Sequence, residues 1–373
     1  MRHRLLTIAA GVVVATTLVA AQPSPITSAE PFKLGTFDID GRPAVGLVLR
    51  DSLVVDIAAA NRAFERDPAV VSMPMPGDMR ALIGRYEYGV SRRLYELVND
   101  LVTSGRLSGA SRPGYVHDLG KVRTLAPILY PTKMLNAASN YYGHVSEAST
   151  PEEQRKVAEA RRKDRGTPYL FLKPTVGAII ANGDDIVLPK GRDKIDWECE
   201  LGVVIGRPAK YVPAAKARDY IFGYTIMLDM SDRGGRPGET TPRSDWFVGK
   251  GHDTFAPMGP FIVPKEFYRD PMNVRQHLTI NGKTMQDSMS SDMIHNIYEL
   301  IEFGSSIMTL FPGDVIAGGS PAGTGMSRSV RPEQVFLKHG DTLVATIDGI
   351  GTMTHTARAE APAGAMPTSP AQR

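Results

Sequence analysis

With 373 residues, a formal charge of +3, 42% hydrophobic residues and a single cysteine, the chain is long enough to bury a large core in one or two domains. It cannot close an intramolecular disulfide. No basic stripe or aromatic–basic interleaving runs through it, so nucleic acid is not an expected partner.

The chain opens on Met1-Arg2-His3-Arg4, an apolar run from Leu5 to Ala21, and Val19-Ala20-Ala21 before Gln22. A basic start, an apolar stretch and small residues at a cleavage point predict a secretory signal over residues 1–21 and an exported, periplasmic protein. The rival reading is an uncleaved anchor, because the apolar run is near the lower limit of about 17 residues for a membrane span. Loss of Arg2 and Arg4 with the leader leaves a nearly neutral mature chain, stabilised by its core rather than by disulfides.

A small N-terminal α+β domain is predicted over residues 32–120. Ala44 to Leu49 and Leu53 to Val55, joined by Arg50-Asp51-Ser52, read as a hairpin. Leu94, Leu97, Val98 and Leu101 fall at i, i+3, i+4 and i+7 before Gly105, predicting an amphipathic helix stopped by glycine. From residue 121 short strands dominate, at 170–172, 178–180, 185–188, 259–263, 277–280 and 342–347. Asn281-Gly282 signals a hairpin turn, and one clear helix is expected at about residues 291–308. The expected fold class is therefore α+β and mainly β, with a mixed β-roll or barrel catalytic domain over 121–358 and a disordered tail over 359–373.

Glu198 and Glu200 stand at the mouth of the apolar run Leu201 to Ile205. Strand alternation points both carboxylates to one face and Trp197, Cys199 and Leu201 to the other. Buried ionised carboxylates without a partner cost several kcal/mol, so such a pair shares a proton or holds a cation. Asp229, at the end of another apolar run, completes an all-oxygen set suited to Mg²⁺, Mn²⁺ or Ca²⁺ rather than zinc. The competing reading is a solvated edge strand paired with Lys194 or Arg192; the unbroken apolar run argues against a wet face. Cys199 reads as a small buried hydrophobe.

His144 and Glu147 lie three apart, so a helical turn brings them to one face, where the carboxylate can make the imidazole a better base. An exposed pair near a turn is the alternative. Residues 151–165, charged and helix-forming, read as either a solvated flap or a lid. Lys250 and the glycine-rich loop 318–325 are further candidates. The loop lacks the Gly-Lys-Ser/Thr ending of a phosphate-binding loop; it reads equally as an anion nest or as a plain tight turn.

Seven stretches occur in one order: Asn140-Tyr141 to Glu147, Phe171-Leu172-Lys173-Pro174, Asp196 to Leu201, Gly223-Tyr224 to Ser231, Lys250 to Pro260, Asn281-Gly282 with Gln286, and Met308 to Ile316. In these the chain resembles the fumarylacetoacetate hydrolase family over roughly residues 120–357. The resemblance implies a mixed β-roll domain, usually homodimeric, with a divalent metal on Glu198, Glu200 and Asp229. It also implies a His144–Glu147 dyad on a segment that closes over the substrate, and Lys250 reaching the bound oxyanion. Substrate contacts are expected from Tyr141, Arg233, Arg236, Gly319 and Ser320. Where the family commonly continues Ser-x-Arg with an acid and then glutamine, this chain has Ser231-Asp232-Arg233-Gly234-Gly235-Arg236, so Arg236 is expected to replace the glutamine contact, and Gly318-Gly319-Ser320-Pro321 replaces the usual Thr-Gly-Thr-Pro.

The expected activity is divalent-metal-dependent hydrolysis of a carbon–carbon bond in a small 1,3-dioxo acid, with Mg²⁺ as the first choice of metal. An oxaloacetate-type decarboxylase or keto–enol isomerase on the same site is the alternative. A periplasmic small-acid binding protein is the alternative from another class, and it would have little use for three carboxylates together with a His–Glu pair.

Overall fold

The computed structural model describes residues 26–147, 150–239, 245–326 and 335–361. The predicted signal, residues 1–21, and residues 362–373 of the expected tail lie outside the described residues, whereas Ala359 ends the strand Gly351–Ala359 and the Glu360 N–H donates to the carbonyl of Leu188 at 2.9 Å. No helix among them is long and apolar enough to cross a membrane.

The fold is mixed α/β and mainly strands. A twelve-stranded sheet runs in the order Val116–Asp118, Leu53–Asp56, Arg42–Leu49, Lys33–Ile39, Ala256–Pro264, Ile221–Leu228, Cys199–Ile205, Val315–Ala317, Met134–Ala137 and Leu170–Leu172. Arg123–Leu125 and Ile179–Ile180 attach beside this path. A five-stranded sheet holds Lys283–Met289, Arg275–Ile280, Thr342–Ile347, Gly351–Ala359 and Ile186–Leu188. Both sheets are open among the described residues, so of the roll or barrel expected the closed barrel does not form.

The local elements follow from local chemistry. Arg50 and Asp51, at φ 54° and 49°, turn the hairpin between Arg42–Leu49 and Leu53–Asp56, and Asn281-Gly282 does the same between Arg275–Ile280 and Lys283–Met289. The helix Val90–Thr103 buries Leu94, Leu97, Val98 and Leu101 against the N-terminal strands. Of the helix expected at 291–308, only Ile297–Ile307 is α-helical, because Asn296 and Glu299 form a capping box that fixes its start. The charged segment forms the helix Pro151–Lys163, opened by a Thr150–Glu153 capping box, with no buried residue.

The N-terminal strands join the same sheet as the later ones, since Lys33–Ile39 pairs antiparallel with Ala256–Pro264. Glu266 accepts from the hydroxyls of Tyr86 at 2.5 Å and Tyr95 at 2.9 Å, a second tie between the two parts of the chain. Cys199–Ile205 lies inside the sheet, paired on one side with Ile221–Leu228 and on the other with Val315–Ala317. All seven of its residues are buried, which rules out the solvated-edge reading; Arg192 pairs instead with Asp232.

Candidate metal centre

The sheet alternation divides the strand at the centre of the site. Trp197, Cys199, Leu201 and Val203 pack into one core, and Glu198 and Glu200 take the opposite face. Asp229 follows the neighbouring strand directly, its N–H donating to the carbonyl of Glu198 at 2.9 Å. Oxygens of Glu198, Glu200 and Asp229 come within 4.8 Å of one another, and all three residues are buried.

Three carboxylates this close need positive charge. Lys250 Nζ lies 2.8 Å from Glu198 Oε2 and 2.6 Å from Asp229 Oδ2. Lys173 Nζ lies 2.6 Å from Asp229 Oδ1 and 2.9 Å from the carbonyl of Met230. Arg233 donates to Glu198 Oε1 and, at 3.0 Å, to Asp196 Oδ2. Burial pushes Glu198 toward its neutral form, but the charges of Lys250 and Arg233 prevail and hold its carboxyl well below the usual range. Glu200 is left without such a partner: burial, then the charges of Asp229 and Glu198, push its carboxyl well above that range. Burial, partly offset by Asp229, brings the Lys173 ammonium down to about 8.

Glu200 accepts the N–H of Gly319 at 2.8 Å through Oε2, and its Oε1 is buried with no hydrogen-bond partner among the described residues. An orphaned carboxylate oxygen facing two further carboxylates is a donor set for a hard divalent cation, which supplies the missing charge. Glu198, Glu200 and Asp229 therefore fit the group.

The dyad forms as spaced. His144 Nδ1 stands 2.6 Å from Glu147 Oε2, on the short helix Tyr142–Val145. Burial disfavours the imidazolium, yet the hydrogen bond and charge of Glu147, with Glu198, raise the His144 pKa above its ordinary value. Asp292 accepts the Gly143 N–H at 3.2 Å and so fixes the start of that helix.

The glycine-rich loop is a nest, but for the chain's own anions. Gly319 donates to Glu200, and Gly323 donates its N–H to Glu147 Oε1. Both sites require glycine. At φ +93° a Cβ on Gly319 would sit 2.7 Å from that of Asn140, and at φ +100° one on Gly323 would sit 1.8 Å from the Met285 carbonyl oxygen.

The remaining expected contacts divide. Arg233 joins the acid cluster, whereas Arg236 is half-exposed and pairs with Asp245 at 2.6 Å and Glu239 at 3.3 Å. Tyr141 is fully buried in the core, its hydroxyl held by Gln276. Ser320 Oγ accepts from Gln286 Nε2 at 2.9 Å, and Gln286 Oε1 accepts from Cys199 N at 2.9 Å, so this pair ties the loop to the acid strand. Sequence reasoning missed Lys173 as a partner of Asp229. It also missed Asp196, whose Oδ1 accepts from Gly325 N at 2.6 Å. Both stand inside motifs of the sequence, and their roles appear only where remote strands meet.

Comparison with known proteins agrees with this geometry. The family model for the fumarylacetoacetate hydrolase C-terminal domain matches residues 133–358. A mitochondrial oxaloacetate tautomerase of Bos taurus is 35% identical over 233 residues, covering 62% of this chain and 68% of the relative. The crystal structure of a 2-hydroxyhepta-2,4-diene-1,7-dioate isomerase from Mycobacterium marinum is 28% identical with a TM-score of 0.59, covering 88% of this chain and 99% of that one. A maleylpyruvate hydrolase from a Sphingobium species, solved with manganese(II) and pyruvate, is 26% identical with a TM-score of 0.64, covering 88% and 100%. Since the match takes in the acid cluster, the dyad and the loop that holds both, this chain belongs to the fumarylacetoacetate hydrolase family.

Proposed function

We propose that the protein hydrolyses a carbon–carbon bond in a small 1,3-dioxo acid of the acylpyruvate type, with a divalent metal, Mg²⁺ or Mn²⁺, held by Glu198, Glu200 and Asp229. The observation that carries this reading is that one loop anchors both halves of the site: Gly319 holds Glu200 and Gly323 holds Glu147. A base and a cation site fixed to the same backbone are what attack on a carbonyl requires.

When bound, the cation supplies Lewis acidity to the substrate's oxygens. Nδ1 of His144 is engaged by Glu147, so Nε2 is the nitrogen that takes a proton from water. The hydroxide adds to the acyl carbonyl; the carbon–carbon bond then breaks, its electron pair passes to the pyruvate fragment as an enolate, and the proton held at Nε2 returns to that carbon. Lys250 and Arg233 set positive charge beside the acids where this negative charge develops.

The names of the bovine tautomerase and the mycobacterial isomerase favour a second reading, enolisation of an oxo acid on the same residues, with no carbon–carbon bond cleaved. Loss of the ultraviolet 1,3-diketone absorbance across a panel of acylpyruvates, with oxaloacetate run in parallel, separates the two. Turnover of oxaloacetate alone would replace the hydrolase by the tautomerase where no CO2 is released, and by a decarboxylase where it is.

A homodimer is carried into this proposal by the family resemblance, and export by the pattern of residues 1–21. The mass of the secreted chain, expected to begin at Gln22, tests the latter.

A further inference from the structure

Asn136 is the third residue of the strand Met134–Ala137 and is completely buried. Neither Nδ2 nor Oδ1 of its carboxamide has a hydrogen-bond partner among the described residues. A buried amide left so is costly, and its neighbours say where it looks. Leu135 and Ala137 pack with Trp197, Cys199 and Leu201 in one core, so Asn136 takes the other face, the one that bears Glu198 and Glu200.

The register completes the placement. Asn136 stands opposite Phe171 on one side and Ala317 on the other, and Ala317 in turn stands opposite Gly202. Two residues further along this face, Gly319 meets Glu200. The Phe171 ring lies 5.2 Å from Lys250 Nζ, and Lys250 spans Glu198 and Asp229. Asn136 is thus flanked by a ring that reaches the acid cluster and by two positions with almost no side chain.

We propose that Asn136 forms the floor of the substrate pocket and reads the substrate's acyl arm, selecting an arm that ends in a group able to donate and accept hydrogen bonds, such as a hydroxyl, over an apolar arm of the same size. The proposal rests on the oxo-acid reading above and adds the chemistry of the arm. Asn136 acts through binding alone and moves no proton. An apolar arm would leave both amide atoms unpaired, which a site built to hydrogen-bond rejects.

The test is calorimetric binding to the Mn²⁺-loaded protein of 2-oxo acids of increasing length, each with a terminal hydroxyl or with a methyl in its place. The wild type is expected to favour the hydroxyl member by about 10- to 100-fold at one length, the effect of leaving a buried polar group unpaired. Asn136→Leu and Asn136→Ala are expected to lose that preference while keeping the affinity for pyruvate. Melting curves recorded beside the titrations confirm that each variant is folded. A wild type without hydroxyl preference at any length, or a preference that survives in both variants, overturns the proposal. Binding of 2-oxo acids without cleavage of any acylpyruvate defeats the hydrolase reading alone, since the comparison at Asn136 needs no turnover. Failure to bind any 2-oxo acid defeats both.

Discussion

Gly319 donates its backbone N–H to Glu200 Oε2 at 2.8 Å, while Glu200 Oε1 has no partner among the described residues. Glu200 is thus aimed by the backbone and left one bond short, as a metal ligand would be. Glu200→Ala leaves two charged ligands, from which a cation exchanges readily with water and chelators. Elemental analysis of that variant should show bound metal well below one per chain, with activity abolished. Undiminished metal would remove Glu200 from the ligand set.

Lys250 competes with a cation for Glu198 and Asp229, being 2.8 Å from one and 2.6 Å from the other. Lys250→Met should therefore retain the metal or bind it more tightly. Turnover should nevertheless fall by about 10²-fold or more, the usual effect of removing a positioned electrostatic donor. Metal titration beside kcat measurement decides the matter. Loss of both together would make Lys250 a structural brace for the acids and not a group that meets developing charge.

The acid cluster was legible because a strand has period two: Glu198 and Glu200 had to share a face, and the apolar run beyond them had to be interior. Leu94 to Leu101 and Asn281-Gly282 were legible for the same kind of reason, a local rule with a local cause. The loop at 318–325 was not. Its glycines allowed either a nest or a turn, and only the folded chain shows that Gly319 and Gly323 receive Glu200 and Glu147. Nor could spacing show that Lys173 reaches Asp229 across 56 positions, or that Asn136 lands beside Phe171. Of the roll or barrel expected, the choice between open and closed was not legible, because strand content says nothing about whether the last strand meets the first.

Gly323 shows how narrowly the dyad is held. An added Cβ would lie 1.8 Å from the Met285 carbonyl oxygen at φ +100°, so Gly323→Ala combines a clash with backbone strain of about 1–3 kcal/mol. Gly183, at φ +90° with nothing within 4 Å, gives a control with strain alone. Gly323→Ala should lower Tm more than Gly183→Ala and should reduce kcat, because its N–H donates to Glu147. Equal kcat in the two variants would show that Glu147 does not need this anchor.

Burial works against a charged His144, but Glu147 and Glu198 hold its pKa above the ordinary value. A base must be neutral to act, so the acid limb of kcat/KM should lie above the roughly 6.5 of a free imidazole. Glu147→Gln removes the carboxylate and leaves burial in control, so the limb should move to lower pH while the maximal rate drops with the weaker base. His144→Ala should cut acylpyruvate hydrolysis by about 10²-fold or more, the usual contribution of a positioned base. Bound metal should be unchanged, as neither residue is among the three acids. Decarboxylation of oxaloacetate needs an electron sink but no activated water, and should suffer less. If both reactions fall equally and the acid limb stays put in Glu147→Gln, the dyad closes over the substrate without taking a proton from water.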